Sequence, residues 1–259
     1  LIVESLRRAY HDRALYLGDD DFVAVPTQRL LNKHYAKGLA SSIRVDKNLA
    51  SDELSGYDKG KQGGRNTTHF SIIDDQGNRV AATLSVNYPF GSGMIAEGTG
   101  VILNNEMDDF HASEHVANGY GLVGGKANLI APEKRMLSSM SPSFIEQNSR
   151  IAVLGTPGGS RIPSMVVLAL LDFVEGNDPS SMVQVKRFHH QYKPDLILYE
   201  KGGLTKEETL ALQNLGHKLK QRYNYGNMQV VQLNKKTGKL SAASDPRGEG
   251  FASVRKIKQ

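Results

Sequence analysis

Two runs rich in β-branched residues, separated by a polar turn, constrain the fold more than any other part of the chain. The runs are residues 68–73 and 80–86, and the turn between them is Asp-Gln-Gly-Asn. β-branched side chains favour strands and a short polar turn with glycine joins antiparallel strands, so the sequence predicts a β-hairpin. Pairing about this turn places Thr67 opposite Ser85, or one residue off, depending on the loop length.

The hydroxyl at the start of the first predicted strand can also have a chemical role. If the peptide bond before Thr67 is cut, the freed α-amine, which titrates near roughly pH 7.7–8.0, can serve as the base for the residue's own hydroxyl. Paired threonine and serine are also ordinary residues of a strand ladder. The hairpin alone therefore leaves both interpretations open.

Composition excludes several classes of function. The 259 residues, 39% hydrophobic and 23% charged, fit a soluble globular protein with a substantial core. The chain has no cysteine, so disulfides, thiolate metal sites and cysteine nucleophiles are excluded. Its net charge of +5 is spread along the sequence, which indicates solubility and no nucleic-acid partner. No apolar run approaches the roughly 20 residues that a membrane span needs.

The remaining patterns predict a mixture of helices and strands. Apolar residues recur at the helical period in several segments, and glycine or proline marks many of their ends. A polar, glycine-rich stretch at 46–65 predicts an exposed, mobile segment. We predict helices over 1–17, 27–43, 163–174, 179–187 and 205–215, strands over 101–103, 151–154 and 196–200, and a second hairpin over 228–234 and 240–244.

Two further segments carry residue types that can bind a substrate. Glu106, Asp108 and Asp109 follow a predicted strand, and their carboxylates are either solvated loop charges or acceptors for a cation. The turn that joins a predicted strand to a predicted helix contains Gly158 and Gly159. Their N–H groups can approach a developing oxyanion because no Cβ intervenes, although the turn is equally explained as a tight connection.

A glycine-rich segment at 111–125 has the composition of a lid over a pocket. Within it, His111 and His115 are four residues apart, a spacing that suits zinc on a helix. Ala117-Asn118-Gly119 opposes a stable helix at this place, and the sequence offers no evident third ligand. We therefore expect no metal site and no cofactor.

Four blocks of sequence together resemble the small subunit of the γ-glutamyltranspeptidases, N-terminal-nucleophile hydrolases that cut their own precursor before a threonine. The blocks are TTHFSIIDDQGNRVAATLSVN at 67–87, NNEMDDF at 104–110, LSSMSPS at 137–143 and GTPGGSR at 155–161. The resemblance implies an α+β fold, the αββα sandwich of two stacked antiparallel sheets between helical layers. It implies that 1–66 is the C-terminal end of a large-subunit-like segment and 67–259 a small-subunit-like catalytic segment. Both are expected to be parts of one domain that also needs the N-terminal part of the large subunit.

The resemblance also implies a role for each residue of the site. Autocleavage is expected between Asn66 and Thr67, after which Thr67 is the nucleophile and Ser85 polarises its hydroxyl. The family usually has threonine at the position of Ser85, so we expect slower processing. Gly158 and Gly159 are expected to form the oxyanion hole. The implied substrate-binding residues are Asn87, Glu106 and Asp109 for the α-amino group, Ser138 and Ser139 for the α-carboxylate, and Tyr120 in the lid.

The implied activity is cleavage of γ-glutamyl amide bonds, as in glutathione, with transfer of the γ-glutamyl group to water or to an amino acid or peptide acceptor. The implied partners are this small-molecule substrate, the acceptor and the rest of the large subunit, and the implied location is periplasmic or extracellular. Two alternatives stay open. One is a catalytically silent, unprocessed fragment, and the other is an acylase or poly-γ-glutamate transpeptidase on the same scaffold.

Overall fold

The hairpin predicted from the β-branched runs is present in the structure, a computed structural model that describes residues 1–54, 67–114 and 116–255. Strand β1 (Thr67–Ile73) pairs antiparallel with β2 (Arg79–Ser85). In the turn, the Asp74 carboxylate accepts hydrogen bonds from the backbone N–H groups of Gln76 (3.0 Å) and Asn78 (2.8 Å). Gly77 has a φ of 85°, a left-handed conformation that glycine adopts without steric cost. The turn chemistry therefore fixes the register of the two strands.

The other regular elements follow in chain order. The α-helices are α1 (Ile2–Tyr16), α2 (Thr27–Leu30), α3 (Lys33–Ser41), α4 (Ile162–Val174), α5 (Pro179–Gln184) and α6 (Lys206–Asn214). The remaining strands are β3 (Ser143–Gln147), β4 (Arg150–Gly155), β5 (Phe188–His189), β6 (Ile197–Glu200), β7 (Leu219–Arg222), β8 (Gln229–Asn234) and β9 (Lys239–Ser244). The fold class is α+β, as the sequence predicts.

One compact unit, which we call the hairpin unit, contains the described residues of Arg65–Asn104, Ser139–Arg187 and Tyr223–Gln259. Its main sheet is antiparallel in the order β3-β4-β8-β9. One face of this sheet packs on α4 and α5 around buried apolar side chains such as Leu154, Met165 and Phe173. Each such side chain contributes about 1.5–3 kcal/mol when fully buried. The β1–β2 hairpin packs on the sheet as well, so hairpin, sheet and helices form successive layers.

The second compact unit, which we call the helical unit, contains the described residues of Leu1–Gly64, Asn105–Ser138 and Phe188–Arg222. It holds α1, α2, α3, α6 and a small sheet in which β6 pairs antiparallel with β5 and parallel with β7. The inner face of α1 carries charged as well as apolar side chains, and the buried Arg7 guanidinium pairs with Glu4 and Asp195. Buried charges need such partners because desolvation penalises an unpaired ion.

Ser51 ties the segment that follows α3 to this charged cluster. Its backbone N–H donates to Asp195 Oδ2 (2.8 Å), and its hydroxyl donates to the carbonyl of Tyr192 (2.6 Å). Arg7 donates to the Ser51 hydroxyl oxygen, and the Tyr192 hydroxyl donates to the Leu54 carbonyl (3.0 Å). Part of the segment predicted to be exposed and mobile is therefore anchored, and the rest of it, residues 55–65, lies outside the described residues.

Several predicted elements are confirmed and others are wrong. The helix predicted from residue 205 is present as α6, and a capping box starts it, with Glu208 N–H donating to Thr205 Oγ1 (3.1 Å) and Thr205 N–H donating to the Glu208 carboxylate (2.8 Å). The continuous helix over 27–43 is wrong, because the side chain of Asn32 accepts from His34 N–H (2.7 Å) and starts α3 as a new helix. The buried strand at 101–103 is also wrong, since its three side chains are 40–57% exposed and only an isolated bridge forms there.

The two compact units do not coincide with the segments 1–66 and 67–259. The helical unit combines chain from both sides of position 66. The division into large-subunit-like and small-subunit-like segments therefore stays a prediction. Across the described residues, no helix is both long enough and apolar enough to cross a membrane.

Candidate active site

The two hydroxyls predicted to meet at the end of the hairpin do meet. Thr67 lies directly opposite Ser85 in the ladder, and Thr67 Oγ1 is 3.0 Å from Ser85 Oγ. The backbone N–H of Asn87 donates to the same Ser85 oxygen (2.8 Å). A hydroxyl can accept one hydrogen bond while donating another, so Ser85 can pass polarisation from the Asn87 amide to the Thr67 oxygen.

Asn87 holds this amide in place through its backbone conformation. It is buried and has a φ of 69°, in the left-handed region that asparagine tolerates better than most residues. The chain therefore turns immediately after β2, and the turn directs the Asn87 N–H at the hydroxyl pair. Asn66, the other residue of the expected cleavage bond, lies outside the described residues.

The glycine turn lies in the hairpin unit too. It follows β4, and its short 3₁₀ turn Gly159–Arg161 leads directly into α4. Gly158 has a φ of 152° and Gly159 a φ of 59°, conformations that L side chains rarely adopt. A Cβ on Gly158 would lie 2.4 Å from the terminal carbon of Met165. The turn thus lies at a helix start, where N–H groups lack intrahelical acceptors, and its use as an oxyanion hole stays a prediction.

The acidic cluster lies in the helical unit, on the 3₁₀ turn Glu106–Asp109. Burial, and after it the nearby Glu106 carboxylate, raise the pKa of Asp109 to about 7, although the Arg13 guanidinium opposes both effects. Asp108 instead accepts a hydrogen bond from Asn105 Nδ2 (2.7 Å) and is exposed. The structure therefore distinguishes Asp109, a half-buried and partly desolvated carboxylate that a bound cation would stabilise, from its exposed neighbour.

Three predicted substrate-binding residues have different surroundings. Ser139 is half-buried, and its carbonyl accepts from the Ser141 hydroxyl (3.0 Å), whereas Ser138 is exposed. Tyr120 is buried in the helical unit, and its carbonyl accepts from Gln191 Nε2 (3.2 Å). In this structure the tyrosine is an interior side chain, and its part in a lid stays a prediction.

The structure thus divides the candidate residues between the two units. Hydrogen bonds join Thr67, Ser85 and Asn87 within the hairpin unit, which also contains Gly158, Gly159 and Ser139. Glu106, Asp109, Tyr120 and Ser138 belong to the helical unit. No group of three metal-ligating side chains occurs among the described residues, and His115 is not one of them.

Sequence reasoning missed His69, which lies two residues after Thr67 and therefore on the same face of β1. Its Nδ1 is 2.7 Å from Thr83 Oγ1 and its Nε2 is 2.9 Å from Ser71 Oγ. Burial lowers the pKa of His69 to about 4, so the imidazole is neutral at neutral pH. The available signal was a histidine among small and β-branched residues at an inward position of the hairpin.

A threonine at the first position of a hairpin strand, layered on an antiparallel sheet that is backed by helices, fits the class of the N-terminal-nucleophile hydrolases. Comparison with known proteins identifies the family within this class. The family model described as gamma-glutamyltranspeptidase matches residues 1–255. The chain belongs to the γ-glutamyltranspeptidase family.

Individual relatives agree with this assignment. The chain is 41% identical to the glutathione hydrolase proenzyme of Escherichia coli (strain K12) over 249 residues, which are 95% of this chain and 43% of that protein. It is also 41% identical to the glutathione hydrolase proenzyme of Pseudomonas aeruginosa over 264 residues, 98% of this chain and 45% of that protein. The chain therefore spans less than half the length of these curated relatives.

A solved structure resembles most of the chain. The γ-glutamyltranspeptidase from Pseudomonas nitroreducens complexed with L-DON is 43% identical, with a TM-score of 0.68. The match covers 73% of this chain and 100% of the solved chain.

Proposed function

We propose that this chain carries the catalytic part of an autoprocessing threonine enzyme that cleaves γ-glutamyl amide bonds. The observation that carries the proposal is the hydrogen-bonded pair of Thr67 and Ser85 hydroxyls at the first position of the hairpin, in a chain that belongs to the γ-glutamyltranspeptidase family. The resulting γ-glutamyl group passes to water or to an amino acid or peptide acceptor. Glutathione is the proposed donor.

In the first stage, Thr67 Oγ1 attacks the carbonyl carbon of Asn66. The Asn66–Thr67 amide bond breaks, the hydroxyl proton ends on the threonine nitrogen, and an ester joins the two residues. Water then hydrolyses the ester, which leaves a carboxylate on Asn66 and a free α-amine on Thr67. Residues 67–259 are about three quarters of the chain. In a solved family member, the match includes the whole of one separate chain and takes up 73% of the present chain. This agreement in size supports a cut near Thr67.

In the second stage, the Thr67 hydroxyl attacks the γ-carbonyl of the donor while its own α-amine accepts the proton. Ser85 polarises the hydroxyl, and the N–H groups of Gly158 and Gly159 stabilise the oxyanion. The C–N bond of the donor breaks, and the proton moves from the α-amine to the leaving amine. Water or an acceptor amine then attacks the ester by the same route in reverse. Two half-reactions through one acyl-enzyme predict ping-pong kinetics.

Recognition of the glutamyl end is assigned to charged and polar side chains. Glu106, Asp109 and Asn87 hold the α-ammonium, and Ser138 and Ser139 hold the α-carboxylate. Support comes from the half-buried Asp109, because a cation beside this carboxyl, whose pKa is raised, would favour its charged form. We assign Tyr120 to the wall of the site.

The rest of the proposal concerns the whole protein. The relatives are more than twice as long as the matched region, so we propose that a large-subunit portion completes the site as a partner. We also propose a periplasmic or extracellular location, which fractionation of the source cells would test.

The test compares Thr67→Ala with Thr68→Ala in the full-length protein. Thr68 is a matched control because it is the adjacent threonine, is exposed and points to the other face of β1. We expect wild type and Thr68→Ala to yield a fragment whose N-terminal sequence begins at residue 67, and to hydrolyse γ-glutamyl-p-nitroanilide. Thr67→Ala should do neither.

A second substrate separates this enzyme from an acylase. Glutaryl-p-nitroanilide lacks only the α-amino group, so recognition by Glu106 and Asp109 predicts strong preference for the γ-glutamyl compound. Equal turnover of the two amides would contradict the proposed substrate class, and hydrolysis by Thr67→Ala would contradict the proposed nucleophile. An uncut, inactive wild-type protein would instead support the silent fragment.

A further inference from the structure

We propose that His69 is a positioning residue that sets the distance between the nucleophile strand and the strand that leads into the glycine turn. The inference rests on the proposed function, because it assigns a role within that same site. It concerns only elements of the hairpin unit, and His69 is not proposed to contact the substrate.

The two ring nitrogens bond to residues of two strands, and one of these residues bonds to a third strand. Nδ1 bonds with Thr83 on β2 (2.7 Å), and Nε2 bonds with Ser71 on β1 (2.9 Å). The Ser71 hydroxyl in turn donates to the carbonyl of Gln229 on β8 (3.3 Å). The ring therefore braces the hairpin internally and links it to the main sheet.

Contact between the ring and Gly155 gives the imidazole its role as a spacer. Gly155 is the last residue of β4, and a Cβ built on it would lie 2.3 Å from His69 Cε1 and 2.4 Å from Nδ1. Gly155 is not among the glycines with positive φ, so the ring, and not the backbone conformation, excludes a side chain. Since Gly158 is only three residues further on, the ring fixes how closely the start of the glycine turn approaches the hairpin.

A neutral imidazole suits this role. Burial leaves His69 only 6% exposed and holds its pKa near 4. Neutral imidazole has one donor and one acceptor nitrogen. Because the Ser71 hydroxyl donates its proton to the Gln229 carbonyl, its oxygen accepts from Nε2–H, and the Thr83 hydroxyl then donates to Nδ1. The ring thus satisfies both nitrogens without carrying a charge, which favours a rigid spacer over a proton carrier at neutral pH.

The test uses His69→Phe and His69→Gln in the full-length protein. Phenylalanine retains a ring but loses both hydrogen bonds, whereas the glutamine amide retains a donor and an acceptor. Rates are normalised to the amount of chain that begins at Thr67, measured by mass spectrometry. We expect His69→Phe to lower kcat by roughly 10- to 100-fold, the effect of misplacing a reacting group by about 1 Å. The inhibition constant of L-glutamate should change less than about threefold, and His69→Gln should recover part of kcat.

A double-mutant cycle tests the contact itself and does not depend on the hydrogen bonds. Gly155→Ala alone should lower kcat by about tenfold or more, because its methyl group displaces the ring. In a His69→Ala background, which leaves room for that methyl group, the same substitution should change kcat by less than about twofold. Gly38→Ala is the control, since Gly38 is helical and no atom lies within 4 Å of its Cβ position.

The outcomes separate this inference from the proposed function. If Thr67→Ala abolishes turnover but His69→Phe keeps the wild-type kcat, or if the effects of Gly155→Ala and His69→Ala simply multiply, the positioning role is wrong and the function stands. If Thr67→Ala remains active, the proposed function is wrong and the inference fails with it. Should His69→Phe not fold, the double-mutant cycle still decides the matter.

Discussion

Replacing Asp109 with asparagine tests whether the charged Asp109 carboxylate destabilises the folded protein when no cation is bound beside it. In the folded protein the pKa of this carboxyl rises from 3.8 to about 7, chiefly because the group is buried. A shift of this size corresponds to roughly 4 kcal/mol at most, at about 1.4 kcal/mol for each pH unit. The attraction of Arg13 is already included in the shifted pKa.

The sign of the effect follows from proton binding. Between about pH 4 and pH 7 the folded state keeps the Asp109 proton while the unfolded state loses it, so the free energy of unfolding falls as the pH rises through this range. Above pH 7 the full penalty is present. Asp109→Asn removes the penalty, and the variant should therefore be more stable than wild type at pH 8, by up to roughly 4 kcal/mol. The difference should approach zero at pH 4.

Urea unfolding followed by circular dichroism at pH 4, 6 and 8 measures this difference. Asp108→Asn is the matched control, because it removes the same charge from an exposed neighbour on the same turn. A stability difference between Asp109→Asn and wild type that is the same at all three pH values would refute the reasoning. So would a variant that is less stable than wild type at pH 8.

The gain in stability should come with a loss of binding. An α-ammonium group beside Asp109 favours the charged carboxylate, so the inhibition constant of L-glutamate for wild type should rise as the pH falls below about 7. Asp109→Asn should bind L-glutamate weakly at every pH in this range. Equal affinity of variant and wild type at pH 8 would remove Asp109 from the proposed site.

Two other predictions concern the hairpin unit. Ser85→Ala removes the partner of the Thr67 hydroxyl and should slow self-cleavage by about 2- to 10-fold, the value of one ordinary hydrogen bond. Ser85→Thr should instead cleave itself as fast as wild type or faster, because its methyl group restricts the side-chain rotamer. A time course on a denaturing gel measures both rates. Gly158→Ala forces a side chain into a left-handed backbone and against Met165, and it should lower kcat about 10²- to 10³-fold if this amide serves the oxyanion. Wild-type kcat in a correctly cleaved Gly158→Ala protein would contradict that assignment.

The sequence was sufficient to predict those features that are set by residues close to one another in the chain. β-branched runs and a glycine turn predict the hairpin and hence the pairing of Thr67 with Ser85, because strand register follows from the turn. The capping box at Thr205 and Glu208 was equally visible, since it is a pattern of four residues.

Features that arise from distant contacts could not be predicted. Nothing in the sequence indicates that His69 meets Gly155, 86 positions later, or that burial raises the pKa of Asp109 but leaves Asp108 solvated. The sequence did not reveal the interruption of the predicted helix at Asn32, for a different reason. Leu30, Leu31 and Leu39 keep the helical period across it, and the asparagine side chain interrupts the helix by accepting a hydrogen bond from a backbone N–H.

The anchoring of Ser51 bears on what a cut before Thr67 would release. Ser51 precedes Thr67 by 16 positions, yet its hydrogen bonds reach Tyr192 and Asp195, which come long after that cut. After a cut, these contacts and the one from Tyr192 to Leu54 would still hold the chain up to residue 54 on the downstream product without a covalent link. The two polypeptides should co-elute in native buffer and part only in denaturant.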